Sequence, residues 1–113
     1  MPKRVLVVED EAMVAMLIED LLADLGCEVA ALACTATEAV DCARGERYDA
    51  ALLDVNLGQG ETSFAAAEVI IGRGLPFAFL TGYGLLGVRP DLRDRPVLSK
   101  PVDPRELKGF LGV

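Results

Sequence analysis

Short continuous apolar runs alternate along this chain with stretches in which apolar positions recur at helical spacing. Val5 to Val8 reads as a strand buried on both faces, because neither face carries a polar residue. Glu11 to Leu25 places Val14, Leu17, Ile18, Leu21 and Leu25 on one helical stripe, and Gly26 stands where such a helix ends. Glu28 to Ala33 predicts a weaker strand. Thr35 to Arg44 predicts a helix with Ala36, Ala39, Val40 and Ala43 on one face and Gly45 as its stop. Ala50 to Leu53 is the next buried strand and runs into Asp54. Asn56 to Gly60 is a polar, glycine-containing loop, and Thr62 or Ser63 is placed to cap a helix reaching about Gly72.

Pro76 to Thr81 is a further apolar strand. In Gly82 to Arg95, Gly82, Gly84 and Gly87 lower helix propensity and Pro90 limits extension, so a short or fraying helix is expected, or none. Pro96 to Ser99 predicts a short strand. Asp103 with Pro104 opens a last helix whose inward stripe is Leu107, Phe110 and Leu111. Five strands, each followed by a helical or loop crossover, predict an α/β fold: a parallel sheet with helices on both faces. There is no repeat, linker or low-complexity tract, and one domain spanning residues 1–113 is the expectation.

Composition narrows the function classes. The net charge of −7 opposes sequence-independent nucleic-acid binding and attraction to anionic membranes, both of which need Lys and Arg. No apolar run approaches the ~20 residues that span a bilayer, and charge comes too soon after Met1 for a signal peptide. Cys27, Cys34 and Cys42 are odd in number and lack C-x-x-C spacing, which favours reduced thiols in a cytoplasmic protein. The absence of histidine removes Ser-His-Asp and Cys-His catalysis, and means that the chain cannot itself donate from phosphohistidine.

The carboxyl ends of the strands carry the candidate chemistry, as open α/β sheets require. The first strand ends in Glu9 and Asp10, the third in Asp54, the fourth in Thr81 and the fifth in Lys100, followed by Pro101. Each residue alone has a bland reading: a solvated strand end, a turn aspartate, a hydroxyl capping its own backbone, a surface lysine. Together they describe three carboxylates whose mutual repulsion a cation must relieve. An all-oxygen site of this kind selects Mg²⁺. Asp54 can then act as a nucleophile, with Lys100 pairing a phosphoryl oxygen and Thr81 donating to another.

These residues stand in segments that resemble the receiver domain of two-component response regulators: VLVVED (Val5 to Asp10), ALLDVNL (Ala51 to Leu57), Thr81-Gly82 and Ser99-Lys100-Pro101. The resemblance covers essentially the whole chain. It implies a flavodoxin-like (βα)5 fold with strand order 2-1-3-4-5. It also implies Asp54 as phosphoacceptor, Glu9 and Asp10 in the Mg²⁺ site, and the backbone carbonyl of Asn56 as a further metal ligand. Thr81 and Lys100 would contact the phosphoryl group, and the Lys100–Pro101 bond would be cis.

PFAFLTGYG (Pro76 to Gly84) is similar to the PFxFATGY signature of an alphaproteobacterial subset of receivers, with Leu80 in place of its Ala. That subset implies partners among histidine kinases of the HWE class and a role in stress signalling. Many of its members are single-domain proteins and others are fused to histidine kinases; Met1 directly before the first strand favours the single-domain form, with a piece of a longer protein as the alternative. The usual aromatic switch residue, three positions before the lysine, is Val97, so Tyr83 beside Gly82 is either its substitute in the switch or an ordinary exposed loop aromatic.

The function expected is therefore a phosphorelay receiver rather than an enzyme. It takes a phosphoryl group from a histidine kinase, assists only its own phosphorylation and dephosphorylation, and switches its affinity for a downstream protein or phosphotransfer partner. It would be a monomer or weak homodimer with no nucleic-acid or membrane partner. The alternatives are a phosphate sink without an output partner, and a Mg²⁺-dependent phosphatase with an Asp nucleophile. Such phosphatases carry a second Asp two residues on, where this chain has Asn56.

Overall fold

The computed structural model describes residues 2–113; Met1, on which the expectation of a single-domain start rests, lies outside them. The strands are β1 (Arg4–Val8), β2 (Glu28–Ala33), β3 (Ala50–Asp54), β4 (Phe77–Thr81) and β5 (Val97–Ser99). They pair in parallel, in the order β2-β1-β3-β4-β5, which is the flavodoxin-like arrangement. The helices are α1 (Ala12–Asp24), α2 (Ala36–Gly45), α3 (Phe64–Gly72) and α4 (Pro104–Leu111). None is long and apolar enough to cross a membrane.

The period-two geometry of a strand explains why the buried strands lack polar alternation. Val5, Val7, Leu52, Ala78 and Leu80 point to one face, where they meet Ile18 and Leu22 of α1 and Leu107 and Leu111 of α4. Leu6, Val8, Leu53, Phe77 and Phe79 point to the other, against Ala39 and Ala43 of α2 and Ala66, Ala67 and Ile70 of α3. With both faces covered, every position of β3 and β4 is buried. Small alanines on α2 and α3 let those helices lie close to the sheet. Phe77 and Phe79 fill the remaining volume edge to face, with centroids 5.2 Å apart.

The helix ends follow local chemistry. Thr35 caps α2 by accepting from Glu38 N, and Glu38 reaches back to Cys34 N. Asp103 caps α4 by accepting from Arg105 N, with Pro104 in the first turn. Two sequence expectations need correction. Ser63 does occupy the N-cap of α3, but its backbone (φ −92°, ψ 8°) is not extended, and its hydroxyl makes no cap bond. On α1 the buried line is Ala15, Ile18 and Leu22, whereas Leu17 is 46 % exposed. Met13, Met16 and Leu17 widen the apolar arc of this helix, so periodicity alone does not fix which stripe faces the sheet.

The segment between β4 and β5 forms two short 3-10 turns, Gly84–Gly87 and Pro90–Leu92, in place of a fourth crossover α-helix. This agrees with the three glycines and the proline in its sequence. Its two halves differ. Val88 and Leu92 are buried in the core, while Tyr83, Leu85 and Leu86 are exposed.

Candidate functional site

The parallel sheet brings the carboxyl ends of β1, β3, β4 and β5 to one edge. A cleft of about 400 Å³ opens there, lined by Glu11, Asp54, Asn56, Thr81, Gly82, Tyr83 and Lys100. Carboxylate oxygens of Glu9, Asp10 and Asp54 lie within 4.8 Å of one another. Glu9 and Asp54 are buried, and Asp10 is exposed. Gly58, at φ +82°, lets the loop after β3 pass close to Asp10: a Cβ there would stand 3.4 Å from Asp10 Oδ2.

Lys100 is the one cation among these groups. Its Nζ lies 2.7 Å from Glu9 Oε1 and 3.1 Å from Asp54 Oδ2. Glu9 Oε1 makes no hydrogen bond of good angle, so its compensation by Lys100 is ionic. Glu9 Oε2 accepts from the backbone N–H of Glu11 at 3.2 Å. The Lys100–Pro101 peptide bond is cis.

The charges are mutually dependent. Burial pushes the Asp54 carboxyl up to about 7, and Glu9 pushes in the same direction, while Lys100 opposes both. Burial works against the Lys100 ammonium, but Glu9 and Asp54 outweigh it and raise its pKa overall. One ammonium therefore leaves the carboxylates undercompensated. A divalent ion fits this donor set, which offers only hard oxygens, three of them close together, with an exposed side through Asp10 where water can enter.

Thr81 is buried at the end of β4, and its Oγ1 accepts from the backbone N–H of Tyr83 at 3.0 Å. Its hydroxyl is thus engaged with its own loop, the bland alternative for a strand-end threonine. Asn56 lies on the cleft wall, and its backbone bridges to Thr62. Tyr83 is 73 % exposed at the cleft rim, beside Gly82. Val97 is not part of the cleft lining. It pairs with Phe79 across the sheet and packs on the core beneath.

Glu11 is the lining residue that sequence reasoning missed. The acidic run Glu9-Asp10-Glu11 was the available signal, masked because Glu11 also reads as a helix start. The thiols have no visible part in this chemistry: all three cysteines are free, and burial raises the pKa of Cys27 and Cys42.

Comparison with known proteins agrees with this geometry. The family model described as the response regulator receiver domain matches residues 5–111. The chain is 30 % identical over 110 residues to the transcriptional regulatory protein PdtaR of Mycobacterium tuberculosis, covering 97 % of this chain and 54 % of PdtaR. It is 31 % identical over 116 residues to the phyllosphere-induced regulator PhyR of Methylorubrum extorquens, covering 98 % of this chain and 43 % of PhyR. The chain thus spans about half the length of the curated relatives it matches. The solution structure of SdrG from Sphingomonas melonis Fr1 superposes with a TM-score of 0.86 at 38 % identity, covering 98 % of this chain and 94 % of SdrG. A five-stranded sheet in the order 2-1-3-4-5, an acidic cleft at its carboxyl edge and a family match along nearly the whole chain lead to one conclusion: the chain belongs to the response regulator receiver domain family.

Proposed function

We propose that Asp54 accepts a phosphoryl group from a partner histidine kinase and that the phosphorylated form has altered affinity for a downstream protein. The observation that carries this reading is the convergence of Glu9, Asp10 and Asp54 within 4.8 Å, with Lys100 Nζ 3.1 Å from Asp54. In the proposed reaction a carboxylate oxygen of ionised Asp54 attacks phosphorus. The bond from phosphorus to the kinase imidazole nitrogen breaks, and its electron pair returns to the ring. The product is an acyl phosphate on Asp54.

Glu9, Asp10 and Asp54 would hold Mg²⁺, joined by the backbone carbonyl of Asn56. The ion would supply positive charge against the phosphoryl oxygens and lower the cost of ionising Asp54. Lys100 is placed to follow Asp54 and pair with a phosphoryl oxygen. Thr81 donates to another once its hydroxyl leaves Tyr83. Loss of that bond frees the exposed stretch 82–86, with Tyr83 as its reporter, while Val88 and Leu92 hold residues 88–95 in the core. Val97 is too short to act as an aromatic switch.

The likeness to PhyR, described as a stress response regulator, supports a stress-signalling role; the PFAFLTGYG segment is what suggests a kinase of the HWE class as donor, in the cytoplasm. The test is labelling by a phosphorylated histidine kinase or by acetyl phosphate with Mg²⁺. The wild type is expected to take one acid-stable but alkali-labile phosphoryl group, and Asp54→Asn none. Undiminished labelling of the variant would sink the assignment. Multiple turnover on a generic phosphate ester would favour a phosphatase instead.

A further inference from the structure

Gly87 is a glycine that the backbone does not demand. Its φ lies outside the left-handed region, unlike Gly84 at +60°. It ends a 3-10 turn, where alanine is the better helix former. Its environment is the distinguishing feature: a Cβ at residue 87 would stand 3.2 Å from Thr81 Oγ1 and 3.8 Å from Tyr83 Cβ. The second distance is ordinary contact; the first requires something to yield.

Few groups there can yield. The Thr81 backbone is fixed in the sheet opposite Ser99, and its carbonyl accepts from Lys100 N at 3.1 Å. Gly87 is held from the other side by Val88, which is 2 % exposed. The free coordinate is rotation of the Thr81 side chain, whose hydroxyl now accepts from Tyr83 N.

We propose that Gly87 is a positioning residue for Thr81: its bare α-carbon gives the hydroxyl room to hold the Tyr83 N–H, and so keeps it engaged with the loop rather than with Asp54. A methyl group at residue 87 displaces the hydroxyl by a few tenths of an ångström and weakens its hold on Tyr83. The phosphoryl-contacting arrangement then costs less to reach, because the resting bond is already weakened. This second consequence rests on the phosphoacceptor reading; the first does not.

Two measurements on the full chain test it as a double-variant cycle. Amide hydrogen exchange at Tyr83 is expected to quicken about threefold or more in Gly87→Ala, and similarly in Thr81→Ala. The double variant is expected to be no faster than Thr81→Ala alone. Unchanged exchange in Gly87→Ala, or equal acceleration in both backgrounds, would overturn the proposal. Beryllofluoride affinity in Mg²⁺ is expected to rise about threefold in Gly87→Ala and not to rise when Thr81 is already Ala. An equal change in both backgrounds would again overturn it. If the wild type binds no beryllofluoride, the phosphoacceptor reading fails, and the exchange measurement alone decides the Gly87 assignment.

Discussion

The proposed phosphotransfer requires Asp54 to be ionised in a place that favours its proton. A carboxyl whose folded pKa lies above its unfolded value holds the proton more tightly in the native state. Its contribution to stability is present below the unfolded value near 3.8 and is lost as pH rises through about 7. Asp54→Asn removes that loss. In chelator, the variant is expected to melt a few degrees above the wild type near about pH 8, with the difference closing toward about pH 4. A difference independent of pH in thermal unfolding would contradict this. Lys100 has the opposite role. Its removal strands Glu9, fully buried, beside Asp54. Lys100→Ala is expected to cost about 3 kcal/mol in urea unfolding, the range for breaking a buried pair, and Mg²⁺ is expected to return part of it. No recovery would count against a cation at these carboxylates.

The elements around the site differ in how firmly they are held. Arg89 pairs with Glu68 of α3 and with Asp91, and it lies over Phe64, yet these are exposed contacts. Arg89→Ala is therefore expected to cost less than about 1 kcal/mol. Leu92, buried in the core, is expected to cost about 2–4 kcal/mol when cut to Ala. Equal costs in chemical denaturation would contradict the view that burial, not charge, anchors residues 88–95. β1, β3 and β4 were legible in the sequence because burial on both faces writes continuous apolar runs, whereas the edge strand β2, exposed or half-buried except at Ala33, gives the weaker signal. The broken crossover after Thr81 was legible from its glycines and Pro90. The face of α1 was not, because Met13, Met16 and Leu17 extend its apolar arc into solvent. Nor was the behaviour of Ser63, since composition marks a capping residue but not its ψ. Glu11 escaped notice because a pattern of strand ends stops one residue short of it.

For the whole molecule, the parallel topology turns a one-dimensional pattern into a pocket. Residues as distant in sequence as Glu9 and Lys100 meet because their strands end at the same edge. Three carboxylates and one ammonium leave a net negative centre, which in the proposed function a divalent ion and a phosphoryl group complete together. Binding of the two is then reciprocal, each tightening the other by the same factor. The most direct measurement is a calorimetric titration of Mg²⁺ in the absence and presence of beryllofluoride, repeated on Asp54→Asn. The account expects at least about tenfold tighter Mg²⁺ binding with beryllofluoride in the wild type and no such gain in the variant. Mg²⁺ affinity indifferent to beryllofluoride, or equal coupling in both proteins, would contradict it.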